Sequence, residues 1–402
     1  MRPSLFLLFF IYWFAPAAAQ ESADKAGLSE AGLTRYTAWL QNEISDGRLP
    51  MAEAIIYRNG EVGYHEVLGT STVETGTALE ENQVYHIMSM TKPIVSVAFM
   101  MLYEEGHFRL RDRVAQYLPE FSELRVARNV NEGLEVATDP ADSKVTIVQL
   151  LTHTAGFSHG LAGTPFDNAF AQAMYYQPQA AIADRVRTLA SLPLVSQPGA
   201  QWYYSASPDV LARLIEHFSG MTAAEFLQQR LLDPLGMEDT GYNVAAEQTQ
   251  RVVANHGMVE DVVQLAGFQL PTSGNTVYGG THGLYSTAAD YLRFCQMLLN
   301  GGELDGRRYL SRKTVELMTM NHVGELRERG QGFGLGFGVV TDPAAADVAG
   351  SAGAFYWSGA YCTYFLIDPA EDMIAILMSQ RSPFSGYHFE MMQQLVYQAL
   401  AD

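Results

Sequence analysis

The sequence predicts an α+β fold: one antiparallel sheet built from both chain ends and flanked by helices, with an inserted, mainly helical lobe. Three observations lead there. Strand-like runs gather before residue 88 and after residue 335, near the two ends of the chain. Helical spacing fills much of the stretch between them. The strand–helix alternation of a doubly wound parallel sheet is missing.

The elements follow in chain order. Met1–Gln20 reads as a secretory signal, with Arg2, the apolar run Leu5–Phe14 and the small-residue site Ala17-Ala18-Ala19. The mature chain is expected to begin near Gln20. A run this short falls below the ~20 residues a spanning helix needs, so export and cleavage to a periplasmic or secreted soluble protein are expected, with no membrane span left afterwards. Leu28–Ser45 carries helical spacing. Ala52–Tyr57 and Val62–Leu68 flank Asn59-Gly60, a strong hairpin signal. Ser89–Glu105 is helical and is ended by Gly106. Residues 107–280 are mixed, with helical stretches at Thr146–Leu151, Ala180–Leu192, Ser207–Ser219 and Ala223–Leu232. Thr287–Asn300 is a further helix; Gly336–Val340, Tyr361–Ile367 and Met373–Met378 are strands, and Tyr387–Leu400 closes the chain as a helix.

Composition narrows the function. The chain has 25 Lys and Arg against 44 Asp and Glu, a net charge of −19, which argues against nucleic acid and anionic lipid as partners. Two cysteines, Cys295 and Cys362, exclude a disulfide scaffold and leave either one bridge or two free thiols. The ten histidines form no H-E-x-x-H and no cluster with metal spacing, so no metal or cofactor is expected.

Two serines sit in candidate catalytic motifs. In Ser89-Met90-Thr91-Lys92, helical spacing puts the amine beside the hydroxyl, where a lysine held neutral by burial can activate the nucleophile. A second S-x-x-K, Ser22–Lys25, lies in the polar leader and is read as chance. Gly156-Phe157-Ser158-His159-Gly160 matches the nucleophile-elbow pattern. That pattern needs a strand before the serine and a helix after it. A helix end precedes Ser158, and Leu161–Pro165 is not expected to start a helix cleanly, so the segment reads as a glycine-rich loop. His86, His153 and His282 read as hydrogen-bonded structural residues, and Gly279–Gly283 as a close-packing loop.

Several segments together resemble the serine β-lactamase and penicillin-binding-protein superfamily, in particular the class C β-lactamase-like branch that includes the family VIII carboxylesterases. They are Ser89–Lys92 with Leu110…Tyr117-Leu118-Pro119, Leu150–Phe157, Pro198…Tyr204-Ser205-Ala206…Asp209-Val210-Leu211, Gly279…Tyr291, and Trp357-Ser358-Gly359…Asp368-Pro369. They occur in the family's order over nearly the whole mature chain. The resemblance implies a signal peptide at 1–19 and one serine hydrolase domain over 20–402 with the β-lactamase/DD-peptidase-like fold. Its sheet lobe would take about 28–88 and 281–402, and its helical lobe about 89–280. It implies Ser89 as acyl-accepting nucleophile, Lys92 as its activating partner and Tyr204, rather than neighbouring Tyr203, as a second base whose phenolate a lysine ammonium would favour. It also implies an oxyanion hole from the amides of Ser89 and Ala360. Substrate would meet Ala206, Trp357, Ser358 and Gly359. Two departures point to the esterase branch. Ala206 replaces the Asn of Tyr-x-Asn, and Trp357-Ser358-Gly359 replaces Lys-Thr-Gly. A small ester is therefore the expected substrate; a β-lactam, a D-amino-acid peptide, or a non-catalytic binding role on the same fold are the alternatives.

Overall fold

The computed structural model describes residues 15–401. The apolar stretch of the expected signal, Leu5–Phe14, lies outside the described residues. Helix α1 (Ala15–Lys25) runs through the expected cleavage site. Beyond that site, Ala23 and Ala26 are buried, so the start of the mature chain is part of the packed fold.

The sheet has eight strands, each antiparallel to its neighbours. The order is Gln331–Phe333, Gly338–Val340, Phe355–Gly359, Thr363–Asp368, Met373–Met378, then β1 (Met51–Arg58), β2 (Glu61–Thr72) and β3 (Thr77–Ala78). The last C-terminal strand pairs with β1, Ile55 opposite Ile376, which joins the two chain ends at the centre. Strand alternation feeds two cores. Ile55, Phe365 and Ile376 face the helical lobe with Ile94, Phe99 and Tyr291. Their neighbours Ile56, Leu366 and Leu377 face α2 (Glu30–Ser45) and the terminal helix Gly386–Tyr397 through Leu40 and Met392. Cys295 and Cys362 are both free and buried, one in each core, so the sheet separates them and the single-bridge alternative falls away.

The helical lobe follows α3 (Thr91–Glu104), which packs against α7 (Ser207–Ser219). The sequence reading misses several elements. Phe355–Gly359 alternates poorly, since Tyr356 and Ser358 are only half-buried. A helix, α5, does begin at Pro165 and runs to Tyr175: Thr164 caps it by accepting the Asp167 amide, and proline suits the first helical turn. Ser158 nonetheless lacks a preceding strand, so the elbow geometry is not formed.

Candidate active site

The site is built at the point where the N-terminal strands hand over to the helical lobe. Gln380 grips the backbone of His86 from both sides, accepting its N–H at 3.3 Å and donating to its carbonyl at 3.1 Å. Met88 then takes a left-handed turn, φ 47°, and starts a short 3₁₀ turn, Met88–Met90, that runs into α3. This places Ser89 at the mouth of a buried helix. Strand Phe355–Gly359 closes over the turn: a Cβ at position 359 would collide with the Ile87 carbonyl and with Thr363 Oγ1. Only glycine lets the strand come so near, and the residue after it is Ala360.

One turn after Ser89, at the start of α3, Lys92 brings its Nζ to 3.0 Å from Ser89 Oγ. Lys92 is 1% exposed. It donates to the carbonyl of Thr281 at 2.7 Å, and His159 Nε2 lies 3.4 Å away. The Thr281 amide in turn donates to Asp209 Oδ1 at 2.9 Å. Thr281 follows Gly280, where a Cβ would clash with the Pro208 carbonyl, so the close-packing reading of this loop holds in detail. Tyr204 presents its ring to the same amine, with Nζ 4.5 Å from the centroid. Tyr203 points elsewhere and donates to Asp167 Oδ2 at 3.1 Å.

The electrostatics reverse one expectation. Burial pushes the Lys92 amine well below its usual range, and Asp209 only partly opposes this. Burial likewise raises the Tyr204 phenol, against the opposing pull of Ser89 and Trp357. Burial thus works against both charged forms, the ammonium and the phenolate expected from the sequence. His153, whose Nδ1 lies 2.8 Å from Ser205 Oγ, and His159 are both pushed well below their ordinary value by burial. His86 and His282 are lowered to about 3, also by burial first.

The remaining expected residues divide. Trp357 faces the site, its ring 5.4 Å from that of Tyr204 and 5.2 Å from that of Phe333. Ser358 alternates to the opposite face of the strand, opposite Tyr364, so its side chain looks toward the terminal helix and away from Ser89. Ala206 is fully buried and serves α7 as its N-cap residue, its amide donating to the Ser158 carbonyl at 2.9 Å. Ser158 is buried as well: its hydroxyl donates to Asp167 and accepts the Gly160 amide, which shapes the loop. The sequence reading singled out neither His159 nor Thr281 as a partner of Lys92. Among the described residues, no group of three or more His, Cys, Asp or Glu has the arrangement to hold a metal ion, and no helix is long and apolar enough to cross a membrane.

A serine beside a buried lysine at the head of a helix, walled by a sheet from both chain ends, is the arrangement of a serine hydrolase. The chain belongs to the Beta-lactamase family, whose model matches residues 33–397. It is similar to the protein Rv1367c of Mycobacterium tuberculosis, at 33% identity over 363 residues covering 85% of this chain and 88% of that one. It is similar to esterase EstB of Burkholderia gladioli, at 30% identity over 382 residues covering 89% and 92% of the two chains. Among solved structures, EstCE1, described as a hydrolase with promiscuous acyltransferase activity, superposes with a TM-score of 0.78 at 22% identity, covering 95% of this chain and all of that one.

Proposed function

We propose that this hydrolase cleaves small carboxylic esters through an acyl-Ser89 intermediate. The observation that carries the reading is the 3.0 Å approach of the Lys92 amine, whose burial favours its neutral form, to the Ser89 hydroxyl. Lys92 takes the Ser89 proton as the oxygen attacks the ester carbonyl. Tyr204, its hydroxyl neighbouring Ser89, passes a proton to the departing alkoxide and later helps to activate water. The amides of Ser89 and Ala360 hold the oxyanion, whose charge develops only in the transition state.

The esterase preference is supported by the wall. Trp357 offers apolar area where a lysine would attract a carboxylate, and Ala206 offers no side-chain amide. The net charge of −19 repels anions further. The likeness to EstB supports the same direction. We also propose that the protein is exported, with cleavage after Ala19. Arg2, the run Leu5–Phe14 and the Ala17–Ala19 site support this, and N-terminal sequencing of the exported protein checks it.

Labelling with a fluorophosphonate followed by peptide mapping tests the nucleophile. The expected label is on Ser89 and is absent from Ser89→Ala; a label on Ser158 overturns the mechanism. Steady-state comparison tests the substrate: kcat/KM for p-nitrophenyl butyrate should exceed that for a chromogenic cephalosporin by at least about tenfold, or roughly 1.4 kcal/mol. Faster cephalosporin hydrolysis would move the protein to the β-lactamase reading and leave the nucleophile in place.

A further inference from the structure

His159 lies in the loop that resembles a nucleophile elbow, and it touches both basic groups of the site. Its Nε2 is 3.4 Å from Lys92 Nζ. Its ring stacks on Tyr204, centroids 4.9 Å apart and planes within 16°. It is 7% exposed, and its Nδ1 has no hydrogen-bond partner. The loop around it is fixed. Ser158 is tied to Asp167 and to the Gly160 amide, and a Cβ at Gly160 would press on Ala171 and the Asp167 carbonyl.

We propose that His159 is a positioning residue of this site: as a neutral ring protonated on Nδ1, it accepts a hydrogen bond from Lys92 at Nε2 while its face holds the Tyr204 ring. The inference rests on Lys92 acting as the base for Ser89.

The donor and acceptor count explains why the position matters. A neutral amine has two N–H groups and one lone pair. With the lone pair aimed at the Ser89 hydroxyl, the two N–H groups go to the Thr281 carbonyl and His159 Nε2. When Ser89 attacks, its proton moves to Lys92 and an oxygen–carbon bond forms at the ester carbonyl. The ammonium now has three N–H donors and three acceptors around it: Thr281, His159 and the Ser89 oxygen. It gives the proton up again through Tyr204, whose own proton goes to the alkoxide as it departs as alcohol. Bonds to an ammonium are stronger than bonds to an amine, so the His159 contact tightens as charge develops. A ring protonated on Nε2 would instead aim a donor at Lys92 and oppose the same step.

The titratable groups facing His159 are Lys92 from α3, Tyr204 ahead of α7, Tyr175 at the end of α5 with its ring 5.9 Å away, and the histidines 153 and 282. Asp209 and Arg185 face the other side of this cluster, their closest approach 3.8 Å. Burial holds His159 well below its ordinary value, so its acceptor persists below neutral pH.

The two contacts separate by substitution. His159→Phe keeps a ring against Tyr204 and loses the acceptor; His159→Gln keeps an acceptor and loses the ring. With p-nitrophenyl butyrate, His159→Phe is expected to lower kcat about ten- to a hundredfold with KM changed less than about threefold. It should also move the acid limb of kcat/KM to lower pH, because the ammonium has lost an acceptor. His159→Gln is expected to return the limb to its wild-type position. A kcat and limb unchanged in a folded His159→Phe protein would overturn the proposal. A second measurement needs no variant: ¹⁵N–¹H correlation spectra of the wild-type ring at neutral pH should report Nδ1–H, and an Nε2–H ring would overturn the proposal equally. Fluorophosphonate labelling of the wild-type protein keeps the two readings apart. An unlabelled Ser89 ends the catalytic reading, whereas a labelled Ser89 with an Nε2–H ring ends only the role of His159.

Discussion

Two ionisable groups are buried on opposite sides of the sheet, and they are treated differently. Behind it, Glu43 is enclosed between α2 and the terminal helix. Arg48 donates to it twice, both at 2.8 Å, and His388 lies 3.0 Å away. Burial raises the Glu43 carboxyl, but the hydrogen bonds from Arg48 and His388 outweigh it and hold the group below its ordinary value. In front of the sheet, Lys92 is as deeply buried and has hydrogen-bond partners that carry no charge: a hydroxyl, a carbonyl and an imidazole. Asp209 is turned toward the Thr281 amide and Arg185 and does not reach the amine. The first arrangement keeps its charge and ties two helices together. The second gives its charge up and keeps a lone pair. A buried lysine without a charged partner costs stability, and the return is a base usable at neutral pH.

Lys92→Met should break the comparison most visibly. It is expected to lower ester turnover on the order of 10⁴-fold while raising the unfolding free energy by about 1 kcal/mol. Steady-state kinetics and urea unfolding check the two halves, and a loss of stability would show that Lys92 is held as an ordinary structural group. Tyr204→Phe should lower turnover by a factor on the order of 10²–10³ with little change in stability. Near-normal rates in that variant, with Tyr203→Phe inactive, would place the function on the wrong ring.

Glu43→Gln sharpens the contrast from the other side. It should cost about 2 kcal/mol in denaturant unfolding, less than for a fully enclosed pair because Arg48 still reaches water, and it should leave kcat/KM within about twofold. The smallest expected effect lies in the pH dependence of stability. Lys92 is depressed in the folded protein, so below its usual value of 10.5 the unfolded chain binds the extra proton. Stability therefore rises with pH, and the advantage of Lys92→Met should shrink as pH approaches that value. Glu43 is depressed too, but as an acid: its contribution is present above the ordinary carboxylate range and is lost as pH falls through the lowered value.

The hairpin and the approach of Lys92 to Ser89 were legible because each rests on a short-range pattern, whereas Tyr204 was taken over Tyr203 from the family resemblance. Asn59-Gly60 fixes a hairpin, and i to i+3 on a helix fixes the amine. The direction in which burial moves Lys92 and Tyr204 was not legible, since it depends on what surrounds them after packing; the sequence offered both a lysine held neutral by burial and an ammonium beside a phenolate. Ser358 was placed with Trp357 by adjacency, while the two-residue period of the strand sends them to opposite faces. His159 sat inside a segment set aside as a loop. Its signal was present in the sequence as a histidine next to Gly160 in a glycine-bounded segment, but nothing local says that the loop returns to α3. The start of α5 was missed because Thr164-Pro165 was read as a break, although a threonine followed by proline also begins a helix.

The pressure of Gly359 on the Ile87 backbone has a consequence for the order in which the protein comes into being. Thr363, which flanks this contact, lies 276 positions after Ile87. At about 5–20 residues per second, the ribosome releases the serine turn on the order of tens of seconds before the strand that walls it. During that interval the nascent chain carries nucleophile and amine but no opposing strand to hold an acyl group. A transcript or protease that ends the chain before Phe355 yields a product with both motif residues and no wall. Completion of the polypeptide itself is therefore the event that assembles the enzyme.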